Sequence, residues 1–191
     1  MRKDALYCDR PDSDRRRACR TVMDEIFTRL TAWLSPLAAF TCEEAWTTRF
    51  PDAGPNALRV IPDTPAAWRN DAEAARWARV KDTLGLVTMS LEGHRRDKDI
   101  GSSLEAAPQV SAGADCFTAF SGLDAAEIFR TSAANIEERS SLAHGEVEIK
   151  FRKAEGEKCD RCWRILPEVK EPARLCLRCE DAVSQWDHAH A

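Results

Sequence analysis

"EKCDRCWRILPEVKEPARLCLRCE", residues 157–180, holds four of the eight cysteines in a chain of 191 residues. Cys159 and Cys162 form one C-x2-C pair, Cys176 and Cys179 a second, and thirteen residues separate the pairs. A two-residue spacer lets both sulfurs of a pair turn toward one point. Two such knuckles can offer four thiolates to one tetrahedral zinc at about 2.3 Å. A thioredoxin-like redox pair needs a single C-x2-C in a βαβ setting, and a disulfide framework needs an oxidising compartment. Between the knuckles, "WRILPEVKEPARL" carries Pro167 and Pro172 and reads as turn and hairpin rather than helix. The pattern predicts a small C-terminal module folded by one structural zinc, with Cys159, Cys162, Cys176 and Cys179 as ligands. A site of four cysteines keeps no open position, so its metal builds structure and does not activate water.

Charge adds a second reading of the same stretch. The whole chain is acidic, net −4, which argues against general polyanion binding. Residues 150–179 instead carry nine basic and five acidic side chains. Four thiolates and Zn²⁺ reduce that excess to about +2. A basic module on an acidic chain points to a polyanion contact confined to one end. Trp163 follows Cys162 directly, between Arg161 and Arg164, with Arg178 in the second knuckle. An indole among guanidiniums can stack an unpaired base and hold its phosphates. The competing reading makes Trp163 the small core of the module.

Working outward, residues 14–34 place apolar side chains at Ala18, Val22, Ile26, Leu30 and Trp33 or Leu34, the spacing of an amphipathic helix ended by Pro36. Arg15, Arg16, Arg17 and Arg20 crowd its first turns, as a solvated face or a phosphate-facing patch. Thr41 and Glu44 read as a capping box that starts a short second helix. Four prolines between 51 and 65 make an irregular connection. Ala74, Trp77, Val80, Leu84, Val87 and Leu91 mark a long helix over 71–94, able to lie antiparallel to the first in a bundle. Beyond it come a short strand in "SLEAAPQVSAG", a helical stretch over 115–126, and strands in "EIFRTSAANIEE" and "GEVEIKFRKA". Cys8, Cys19, Cys42 and Cys116 read as small buried hydrophobes. His94, His144, His188 and His190 are scattered and read as surface residues. No stretch approaches 18 apolar residues and residues 1–20 have no apolar leader core, so neither membrane span nor secretion signal is expected. No glycine-rich phosphate loop and no nucleophile–base arrangement is visible.

"KDALYCD" (3–9), "WLSPLAAFTCEEAW" (33–46), "RRDKDIGSSLEA" (95–106), "KAEGEKCDRCW" (153–163) and "LCLRC" (175–179) occur in that order. Together they resemble the C-terminal region of the bacterial isoleucyl-tRNA synthetase family, over essentially the whole chain. The resemblance implies a mainly α fold. Residues 1–100 would be an antiparallel helical bundle, part of the anticodon-binding domain of class I synthetases, entered after its first helices. Residues 101–153 would be a small α+β junction unit, and residues 154–191 the zinc module. It also implies a cytoplasmic ligase that attaches isoleucine to tRNA with ATP, in which this region meets the anticodon stem-loop. Arg161, Trp163, Arg164 and Arg178 are the candidate tRNA contacts. The family's H-I-G-H-type and K-M-S-K-S-type motifs do not occur here. The expectation is a tRNA-binding segment that is not itself catalytic and depends on the rest of a synthetase chain. Two other readings stand beside it: the zinc-finger tail of a DNA-repair glycosylase, although the chain begins "MRKDALY" and not with that enzyme's proline nucleophile, and a zinc-stabilised protein-interaction module. The closing "WDHAHA" has no role in the family pattern.

Overall fold

The computed structural model describes residues 3–190 and shows seven α-helices, a three-stranded sheet and a two-stranded hairpin. The chain forms two compact units, Met1–Arg69 and Asn70–Ala191. The two long helices expected from periodicity fall one in each unit. No helix among the described residues is long and apolar enough to cross a membrane.

In the first unit, α1 (Lys3–Tyr7) leads through a turn into α2 (Asp14–Trp33). Ser13 caps α2 by accepting from the Arg16 N–H, which satisfies one of the orphan donors of its first turn. The arginine run is partly consumed here. Arg15 forks onto the buried Asp9 carboxylate through Nε and Nη2, both at 2.6 Å, and Arg16 Nη1 donates to the Asp9 carbonyl at 3.0 Å. Of the four only Arg17 and Arg20 are exposed, Arg15 and Arg16 being half-buried. α3 spans Ala39–Arg49 behind Ala38, with no side-chain cap. The capping-box expectation is therefore corrected: Thr41 lies inside the helix. The carboxylates of this stretch have other uses; Glu43 Oε2 accepts from the Ala57 N–H at 3.2 Å.

The proline-rich connection packs on these helices through polar side chains. Trp46 Nε1 donates to the Gly54 carbonyl, and the buried Asn56 donates to the Thr31 carbonyl at 3.0 Å. Arg59 lies 3.4 Å above the Trp46 ring and donates to Thr31 Oγ1, Asn56 Oδ1 and the Thr28 carbonyl. The polar side chains of Trp46, Asn56 and Arg59 thus meet partners, as burial demands.

The apolar stripe of α2 is amphipathic as expected but faces outward. Val22, Ile26, Leu30 and Trp33 are each about half exposed, while the buried residues of α2 are Thr31 and Ala32. Leu37 and Phe40 continue the exposed surface. Apolar patches beyond a few hundred Å² favour association. Light scattering is expected to show the mass of this chain rising with concentration, and Ile26→Glu with Leu30→Glu should suppress the rise. A strict monomer at every concentration would refute this.

The second unit opens with α4 (Asp71–Arg96), capped by Asn70 accepting from the Glu73 N–H. Its inward face, Val80, Val87 and Leu91, packs with Ile100, Val110, Phe120 and Phe129 into one core. The helical expectation over 115–126 resolves into α5 (Ala114–Ala119) and α6 (Ala125–Phe129). Strands β1 (Gln109–Ala112), β2 (Asn135–Glu138) and β3 (Val147–Lys150) form a sheet of order β2-β1-β3. β1 runs parallel to β2, with α5 and α6 in the crossover such pairing requires, and antiparallel to β3. Val147 and Ile149 pack against the core while Glu148 and Lys150 stay exposed, the alternation expected of a strand solvated on one side. Cys8, Cys42 and Cys116 are buried and Cys19 half-buried. His94 is partly exposed, stacked on Phe151 with ring centroids 3.8 Å apart, and His144 is exposed. The side chains of His188 and His190 lie outside the described residues.

Candidate metal centre and nucleic-acid interface

The knuckle region folds around a short hairpin. β4 (Glu157–Lys158) pairs antiparallel with β5 (Ile165–Leu166), Glu157 opposite Leu166 and Lys158 opposite Ile165. The hairpin depends on Gly156, whose φ of +111° suits glycine alone. A Cβ at that position would be driven into the Leu166 carbonyl. The first knuckle turns at the hairpin tip: the Cys159 N–H donates to the Arg164 carbonyl and the Trp163 N–H to the Cys159 carbonyl, at 2.9 and 2.8 Å. The second knuckle ends in α7 (Leu177–His190), whose first turn holds Cys179. Sequence reading gave no helix here, although Cys179, Ala182 and Trp186 recur at helical spacing.

These two elements bring Cys159, Cys162, Cys176 and Cys179 together. All four are buried, and their Sγ atoms lie within 4.8 Å of one another, an arrangement that could hold a metal ion. Tetrahedral zinc with 2.3 Å bonds sets its sulfurs about 3.8 Å apart. Cys162 Sγ and Cys176 Sγ are 3.7 Å apart, so the cluster fits that ion. The Cys176 N–H points at Cys159 Sγ at 3.4 Å, a contact that supports negative charge on sulfur. The hydrogen bond with Cys179, and after it burial, pushes the Cys162 thiol up to about 12. Burial pushes Cys176 up as well. Four thiolates in so small a volume require a cation to balance them. Among the described residues no other group of three or more His, Cys, Asp or Glu side chains is gathered in this way.

The surface residues divide. Trp163 is 56% exposed, so its ring is not the core of the module. Its φ of +67° places a bulky residue in the left-handed region, at a cost of order 1–2 kcal/mol. Lys158 Nζ sits 5.6 Å from the centroid of the same ring. Arg161 and Arg178 are half-buried and engaged in contacts of their own. Arg164 is turned inward: Nε and Nη2 both donate to the carbonyl of Ser132, outside the module. Lys158 beside the indole went unnoticed in the sequence. The β4–β5 pairing that sets Lys158 opposite Ile165 shows it only in the folded chain.

Residues 1–110 match the family model described as the anticodon-binding domain of tRNA ligase, and residues 156–182 match the zinc finger found in FPG and IleRS. The isoleucine–tRNA ligase of Caulobacter vibrioides is 57% identical over 196 residues, covering 98% of this chain and 20% of that protein. Those of Agrobacterium fabrum and Ruegeria pomeroyi are 45% and 44% identical, covering 88% and 96% of this chain and 18% and 20% of their own lengths. The chain thus spans about a fifth of the relatives it matches. The sulfur cluster and the zinc-finger match together give the chain one structural zinc.

Proposed function

Because the chain belongs to the anticodon-binding domain family of tRNA ligases, we propose that it is the C-terminal, tRNA-binding region of an isoleucine–tRNA ligase. The parent enzyme would attach isoleucine to its tRNA with ATP, in the cytoplasm, and this region would meet the anticodon stem-loop without doing chemistry. The division into a helical anticodon-binding part (1–100), a junction (101–153) and a zinc module (154–191) is part of the same reading. Cys159, Cys162, Cys176 and Cys179 would hold the zinc. The bound ion supplies no reaction chemistry; it cross-links the β4–β5 hairpin to the first turn of α7. Trp163 would stack a base, with Lys158, Arg161 and Arg178 near its phosphates. Arg164, engaged with Ser132, would serve by holding the module in place.

The observation that carries this reading is the exposed indole on a closed four-sulfur knuckle, in a chain whose residues 1–110 match an anticodon-binding family. Binding of this chain to isoleucine tRNA and to duplex DNA, measured side by side, tests it. Preference for the tRNA is expected, with a marked salt dependence. Isoleucine-dependent pyrophosphate exchange should stay at background in protein free of host synthetase. Preference for duplex DNA would favour the glycosylase-tail reading, and affinity for neither would leave a protein-interaction module.

A further inference from the structure

We propose that Ser132 and Arg164 are a positioning pair that fixes the angle at which the zinc module carries Trp163. The proposal rests on the tRNA-binding reading for its purpose, though not for its geometry. Ser132 is fully buried, in the segment between α6 and β2. All its polar groups are used. Its N–H donates to the Ala106 carbonyl at 3.1 Å and its hydroxyl donates to the Leu104 carbonyl. The same Oγ accepts from the Ile165 N–H at 2.6 Å, and its carbonyl accepts from both Nε and Nη2 of Arg164. Two of these bonds anchor Ser132 to the 103–106 turn, and three grip the hairpin of the zinc module.

The grip lands where it has most leverage. Arg164 is the residue after Trp163, and its own carbonyl closes the first knuckle by accepting from Cys159. A tilt of the hairpin against the sheet would swing the indole and the cluster together. A carbonyl receiving two N–H groups of one guanidinium tolerates little rotation, because the planar fork fixes direction as well as distance. Breaking either half leaves a buried donor or acceptor without a partner, which costs more than the bond itself contributed. Ser132, with no accessible surface, cannot touch RNA, so it separates positioning from direct contact.

The zinc-loaded chain and its Ser132→Ala, Arg164→Gln and Arg164→Lys variants are compared for zinc content, amide exchange at Ile165, and affinity for an isoleucine tRNA anticodon stem-loop across a salt series. Expected are unchanged zinc in all three, Ile165 exchange about tenfold faster, and affinity about tenfold weaker. The slope of affinity against salt should not change. Lysine should rescue little, since it keeps the charge but not the fork. If Arg164 instead held a phosphate, Arg164→Gln would flatten the salt slope by about one charge and Ser132→Ala would bind normally; that result overturns the proposal. Loss of zinc in Ser132→Ala and Arg164→Gln alike would also overturn it, as a plain stability effect. Unchanged Ile165 exchange in both would overturn it whatever the RNA does. Absence of RNA binding by the unaltered chain would sink the tRNA reading, while Ile165 exchange would still decide whether the pair holds the module.

Discussion

Stripping zinc from the chain with a strong chelator is expected to unfold residues 156–182 while α4 and the three-stranded sheet stay folded. The reason lies in what each part buries. Within the module the four cysteines, Val169 and Ala182 are buried, and little else. So small an apolar interior cannot offset the entropy of ordering the segment. Zinc binding in comparable finger peptides is worth roughly 10–16 kcal/mol and is in effect their folding free energy. The core of the second unit draws on α4, α5, α6, the sheet and the segment around Ile100, and none of its buried residues comes from the module. Amide resonances of Val169 and Ala182 should therefore collapse on chelation while those of Val87 and Val110 persist, and Cys176→Ser should reproduce the pattern. Dispersed module resonances in metal-free protein would refute it.

The second large effect is expected from Trp163→Ala. A stacked base is worth roughly 1–3 kcal/mol by alanine substitution, about ten- to a hundredfold in affinity. The ring is more than half exposed, so zinc content should not change. Alanine leaves the left-handed backbone strain as it was. Trp163→Gly relieves it and should bind tRNA as weakly as the alanine variant while holding zinc at least as firmly. That pairing isolates the side chain from the turn. Lys158→Ala should cost less and reduce the salt slope by about one charge. An intact zinc site with unchanged affinity in Trp163→Ala would remove the stacking role.

The two knuckles were legible in sequence because ligand geometry there is local: two residues between sulfurs suffice to bring them round. The long helix over 71–96 was legible because its stripe meets a core within its own unit. The same rule found α2 but not its outward face, since a 3.6-residue period marks a stripe without saying what covers it. The capping-box motif at Thr41 misplaced the start of α3, whose N-cap is Ala38, three residues earlier and with no side-chain cap. Arg164 read as an RNA contact because its partner is 32 residues away. A serine carbonyl leaves no trace in composition, charge or periodicity, so only the folded chain shows where that guanidinium goes.

The order β2-β1-β3 leaves the sheet two open margins, each four residues long. Both are charged: Glu137 and Glu138 on one strand, Glu148 and Lys150 on the other. Arg139 pairs with Glu148 and Glu137, so ion pairs bridge the two margins. A foreign strand laid along either margin would find few backbone groups to pair with, and carboxylates to desolvate as it docked. Charge along both margins thus disfavours growth of this sheet by strand addition. Association through the helical face of the first unit would rest instead on side-chain contacts, which Ile26→Glu with Leu30→Glu should suppress.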